Sequence, residues 1–256
     1  MKDVEGGRYR NVDDMLSPER FYVAHRGGSV TCPEHAMLTY ELSVMRGAGA
    51  LELSLAWTVD GVWFGNHDPT LFRTAGMDVD PATLTWTQVK AIPVKDTLNE
   101  QSFPEQPHER AEDLLATYPG HVFLVDPKYE LQRNRTEFFP LLARFPDAKE
   151  RFVVKYFYDN ASLALADQSA VYRTWGYYYS GTSATSRPPP ATGTSFAWSM
   201  SPPRAEWDQM PVTGKPVTGH ITPSAAAATS AFSRGAAGVM TSNVTNVIAA
   251  ITGATV

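Results

Sequence analysis

Residues 21–49 read FYVAHRGGSVTCPEHAMLTYELSVMRGAG. The run 21–25 is short, mostly apolar and closed by glycine, which is the pattern of a buried strand. Pro33 then opens a second segment. Met37, Leu38, Leu42 and Met45 recur there at helical spacing, and Gly47 and Gly49 stop it. The stretch is therefore one strand followed by one helix, joined by a loop that carries His25, Arg26, Gly27 and Gly28.

The unit repeats along the chain. Strands are expected at 50–59, 62–67, 121–128, 151–158, 171–179, 215–222 and 236–242, with helical patterns between most of them. Asp60-Gly61 marks a turn that makes 62–67 the partner of 50–59. The segment 194–200 is apolar and fits either class. Helices are also expected over 160–170 and in the closing NVTNVIAAI, and a Ser/Thr/Gly/Pro-rich loop over 180–195. Strands alternating with helices predict a parallel α/β fold. About eight strands in 256 residues fit a single (β/α)8 TIM barrel, which typically takes about 250 residues. A doubly wound open sheet is the alternative. The expected organisation is a polar lead-in over 1–20 and one barrel over 21–256.

Composition narrows the function. Apolar residues make up 43% of the chain and the net charge is −5. No basic surplus points to nucleic acid. The single cysteine, Cys32, excludes a disulfide within the chain and a cysteine-built zinc site. No apolar run reaches the ~18 residues that suggest a membrane span. The polar start, MKDVEGGRYRNVDD, carries no secretory pattern, so the cytoplasm is the default expectation, with a virion or the cell exterior as alternatives. Neither a dinucleotide fingerprint nor a phosphate-loop motif follows any strand.

In a barrel of this kind, chemistry sits at the C-terminal ends of the strands. Those ends deliver His25 and Arg26, Glu52, His67 and Asp68, Asp126 and Lys128, and His220. Two imidazoles suit proton transfer near neutrality. Arg26 and Lys128 suit an anionic group. Glu52 and Asp126 are hard oxygen ligands, matched to Mg2+ or Ca2+ rather than zinc. Together they suggest displacement at a phosphate diester, with Gly27 and Gly28 allowing close backbone approach or a sharp turn.

Several motifs resemble the glycerophosphodiester phosphodiesterase family: HRGG (25–28), PEH (33–35), GAGALELS (47–54), TVDG (58–61) and HDPTLFRT (67–74). DPK (126–128), KPVTGHIT (215–222) and GVMTSN (238–243) are similar to later family segments. The resemblance implies a TIM barrel that hydrolyses a small or polymeric glycerophosphodiester to an alcohol and glycerol phosphate with one divalent cation. It implies His25 and His67 as the acid/base pair, Arg26 and Lys128 on the phosphate, Glu52 and Asp126 on the metal, and Glu34 in support. Ser54 stands where the family has a ligand aspartate, His35 where it has asparagine, and His220 where it has tryptophan. His220 is a candidate substrate contact. The competing reading is a domain that binds glycerol-phosphate polymers without turnover, within a surface or phage-tail assembly.

Overall fold

The computed structural model describes residues 9–17, 20–30, 32–95, 103–128, 134–157, 171–177, 194–196, 198–200 and 216–252. Its strands are β1 (Phe21–Ala24), β2 (Ala50–Trp57), β3 (Trp63–Gly65), β4 (Val122–Pro127), β5 (Phe152–Phe157), β6 (Arg173–Tyr177), β7 (Thr194–Phe196), β8 (Trp198–Met200), β9 (Val217–His220) and β10 (Gly238–Thr241). Hydrogen-bonded neighbours follow the path β7-β6-β5-β4-β2-β1-β10-β9-β8. Every pairing on that path is parallel. Its two ends, β7 and β8, are consecutive in the chain, so the sheet closes into a ring. Taken as the halves of one strand, they make an eight-stranded parallel barrel, the predicted (β/α)8 fold.

Two assignments change. The strand expected at 62–67 is not a stave of the barrel. It is β3, an antiparallel partner of β2 outside the ring, as the tight Asp60-Gly61 turn dictates. The ambiguous segment 194–200 supplies the missing stave instead. The helix expected over 160–170 and the loop over 180–195 lie outside the described residues.

The barrel interior is filled by Phe21, Val23, Ala50, Val122, Leu124, Val153, Trp175 and Met240. Phe21 has room because residue 238 is glycine; a Cβ there would fall 2.2 Å from the ring. The N-terminal ends of the strands are covered by Tyr9, Val12 and Met15, two of them on helix α1 (Val12–Leu16). Part of the stretch read as a polar lead-in thus packs into the core. The other faces of the strands carry Leu51, Leu53, Leu55, Phe123, Val125 and Val154, which meet the outer helices through Leu114, Leu115, Phe138 and Leu142. Each such fully buried side chain contributes about 1.5–3 kcal/mol relative to exposure.

Helix α2 (Met37–Met45) buries a different face from the one its apolar pattern predicts. Thr39, Tyr40 and Ser43 are buried, while Met45 is 77% exposed. Those inward hydroxyls bond the loop that precedes the helix. No helix among the described residues is long and apolar enough to cross a membrane.

Candidate active site

The loop after β1 starts with a single 3-10 turn, His25–Gly27. Arg26, Gly27 and Gly28 have φ of +50°, +80° and +98°. Glycine adopts this left-handed backbone freely, and arginine only with strain. Helix α2 holds the turn: Ser43 Oγ donates to the Gly27 carbonyl at 2.5 Å. Gly28 must lack a side chain, because a Cβ would sit 2.2 Å from Ser43 Oγ. The turn aims the Arg26 amide at the barrel mouth, where it donates to Glu52 Oε2 at 2.8 Å.

Glu52 and Asp126 come together on β2 and β4. The parallel register pairs Ser54 with Asp126 and Glu52 with Leu124, which puts Glu52, Ser54 and Asp126 on the interior faces of two adjoining strands. Both carboxylates are buried. Ser54 Oγ donates to Glu52 Oε1 at 3.0 Å. Lys128 Nζ donates to Asp126 Oδ2 at 2.6 Å. Lys155, on β5, completes the group: its Nζ is 3.1 Å from Glu52 Oε1 and 3.4 Å from Asp126 Oδ2. Its ammonium also lies 5.6 Å from the Trp175 ring centre. Burial opposes the charge on Lys155, but Glu52 and Asp126 outweigh it and its pKa is raised. Burial likewise opposes the charge on Glu52, which Lys155 chiefly overcomes, with Arg26 adding to it, holding its pKa well below the usual range.

His25 and His67 approach this group from two loops. His25 is buried, with Nδ1 2.7 Å from Ser242 Oγ. His67 Nδ1 lies 2.6 Å from Asp68 Oδ1. These partners fix the orientation of each ring through Nδ1. Burial lowers the pKa of both. For His25 the effect is strong; His67 falls to about 4, with Lys128 and Arg26 adding to desolvation.

A charged network runs beneath His67. Arg73, on helix α3 (Phe72–Ala75), grips Glu34 bidentately at 2.7 and 2.8 Å and donates to Asp68 Oδ2 at 2.5 Å. Glu34 also accepts from Arg26 at 3.1 Å. Glu34 therefore ties Arg26 and, through Arg73 and Asp68, His67. His220 lies at the end of β9 with its ring edge-on to His25, centroids 5.5 Å apart, and 6.2 Å from Trp175. Burial pushes its pKa well below the usual value. His35 has its own buried partner, Tyr40, at 3.0 Å, and Tyr40 in turn donates to the Glu52 carbonyl.

Every predicted residue thus falls in one region. Lys155, Arg73 and Ser242 were not among the predicted residues, and Asp68, named at its strand end, had no role assigned there. Lys155 had a signal: a lone charge within the apolar run FVVKYFY (152–158), where a buried ammonium requires an anionic partner.

Comparison with known proteins gives the family and the fold. The profile of the glycerophosphoryl diester phosphodiesterase family matches residues 25–168, more than half of the chain. The glycerophosphodiester phosphodiesterase of Bacillus subtilis is 36% identical over 94 residues, 36% of this chain and 32% of that protein. Glycerophosphodiester phosphodiesterase 1 of Bos taurus is 24% identical over 168 residues, 62% of this chain and 51% of that protein. The chain thus spans about a third to a half of these relatives' length. Among solved structures, an Oleispira antarctica phosphodiesterase in complex with the product sn-glycerol-3-phosphate superimposes with a TM-score of 0.74 at 16% identity, covering 91% of this chain and 96% of that one. A Parabacteroides distasonis glycerophosphoryl diester phosphodiesterase gives 0.72 at 17% identity, covering 96% and 93%.

Proposed function

The chain belongs to the glycerophosphoryl diester phosphodiesterase family, and on that premise we propose that it cleaves a glycerophosphodiester between phosphorus and the alcohol oxygen. The observation that carries this reading is the pairing of two Nδ1-anchored histidines with a buried carboxylate–ammonium cluster at the barrel mouth. One imidazole removes a proton from the attacking hydroxyl. The new P–O bond forms as the P–O bond to the alcohol breaks, and the second imidazole gives its proton to the departing oxygen. With water attacking, the products are glycerol phosphate and an alcohol. With the substrate's own hydroxyl attacking, a cyclic phosphate forms first. Lys128 and the Arg26 guanidinium supply positive charge for the phosphate oxygens, and His220 lines the substrate side of His25.

Both imidazoles are neutral in the free protein near neutrality. A bound phosphodiester adds a negative charge beside them and favours one imidazolium.

The family generally depends on a divalent metal. A cation such as Mg2+ or Ca2+ between Glu52 and Asp126 would need their oxygens at about 2.0–2.6 Å and further oxygen ligands. The donor set here does not fit it. Ser54 offers a hydroxyl that already donates to Glu52, and Glu52 Oε1 and Asp126 Oδ2 both face Lys155. Among the described residues no cluster of three His, Cys, Asp or Glu side chains is arranged around a common point.

Phosphorus NMR of glycerophosphocholine and of a glycerol-phosphate polymer incubated with the protein tests the reading. Conversion to glycerol phosphate, directly or through a cyclic phosphate, is expected. Binding of the diester with no new phosphorus signal would favour the binding module instead.

A further inference from the structure

Resting on that reading, we infer that Lys155 is the resident cation of this site: its ammonium takes the place between Glu52 and Asp126 that a divalent metal would occupy, and diester cleavage by this chain proceeds without one. Three observations carry the inference. Lys155 Nζ bridges the two facing carboxylate oxygens, at 3.1 and 3.4 Å. It is 3% exposed at the side chain, with Glu52 and Asp126 at 0% and 2%, so the contact is built into the barrel and is not a surface encounter. And the side chain that bonds Glu52 from the register position opposite Asp126 is Ser54, which brings no charge.

The charges close without a metal. Glu52 and Asp126 are balanced by Lys155 and Lys128, one ammonium for each carboxylate. An aspartate at 54 with a neutral residue at 155 would leave the same group two charges short, which is what one divalent cation supplies. A buried charge left without a partner is strongly disfavoured. The two positions are therefore coupled: a serine at 54 and a lysine at 155 belong together. A lysine also works differently from a metal. It neutralises and donates a hydrogen bond, but it neither draws in water ligands nor asks for a fixed coordination number.

The test separates this inference from the functional reading. Binding of Mn2+ is followed by electron paramagnetic resonance in the native protein, in Lys155→Gln, and in Ser54→Asp/Lys155→Gln, each shown to be folded by its thermal melt. The native protein is expected to bind no Mn2+ at millimolar concentration. The double variant is expected to bind one Mn2+ ion, at least about tenfold more tightly than Lys155→Gln does. Tight binding to the native protein, or none to the folded double variant, overturns the inference whatever the protein hydrolyses. In parallel, turnover of glycerophosphocholine by native protein is compared with and without EDTA. Turnover that survives chelation is expected. Turnover abolished by EDTA and restored by Mg2+ overturns the role of Lys155 and leaves the hydrolase reading standing. If Lys155→Gln and the double variant fail to fold, Lys155→Arg decides: it retains EDTA-resistant turnover if the role is that of a cation, and its complete loss of turnover while folded overturns that role.

Discussion

At the scale of single residues, the site separates groups that do chemistry from groups that hold them. His25 and His67 are each fixed through Nδ1, by Ser242 and Asp68. Burial, with nearby cations adding to it, puts both pKa values below that of a free imidazole. The consequence for rate has a definite sign. One imidazole must be neutral and the other protonated. As pH falls the base is lost, and as pH rises the acid is lost. Because both titrate below about 6.5 in the free protein, kcat/KM should follow a bell centred below that pH. A profile centred above pH 7 contradicts the placement. The candidate residues were legible because their types and order were visible in the sequence. Asp68 and Arg73 were visible too, but their role depends on a fold that brings Glu34 against a helix 39 positions away. Lys155 stood out only as an anomaly inside a strand.

At the scale of elements, the loops after β1 and β3 are clamped together by the ion network. Glu34 is 6% exposed, and although burial alone would raise its pKa, its bonds to Arg73 and the charge of Arg26 bring it down to about 2. The folded value lies below the unfolded one, so this contribution is complete above about pH 4.5 and fades as the pH falls toward 2. It amounts to about 3 kcal/mol. Urea unfolding from pH 6 to pH 2.5 should show this loss in the native protein and its absence in Glu34→Gln, which starts out less stable. Equal pH slopes for the two would contradict the network. The sequence did reveal the elements, since strand and helix periodicities differ. It misjudged which face of α2 is inward, because the apolar spacing of Met37, Leu38, Leu42 and Met45 competes with hydroxyls that bond the loop. Ser43 faces inward to hold Gly27, and no hydrophobic pattern registers that need.

At the scale of the whole molecule, one end of the barrel is plugged and the other is reactive. Met15 is fully buried in the interior cluster with Phe21, Ala50 and Val122, a cluster that includes none of the candidate site residues. Met15→Ala should lower stability by about 2–5 kcal/mol, the range for deleting a buried side chain of this size, while turnover per folded molecule stays the same. A thermal melt and an activity measurement on one sample check both halves. The barrel itself was readable from the alternation of strands and helices. Which strands form the ring was not, because a hairpin partner and a true stave have the same composition, and β3 and β7–β8 exchange places only once tertiary pairing is known.

If two anchored histidines cleave a glycerophosphodiester at a site whose resident cation is a lysine, the initial rate of glycerol phosphate release from glycerophosphocholine in EDTA reads both at once. Native protein should release glycerol phosphate, and His25→Ala and His67→Ala should each be slower by about 10²–10⁴-fold. Release that is unchanged by removing either imidazole, or no release at all from folded native protein, would contradict this mechanism.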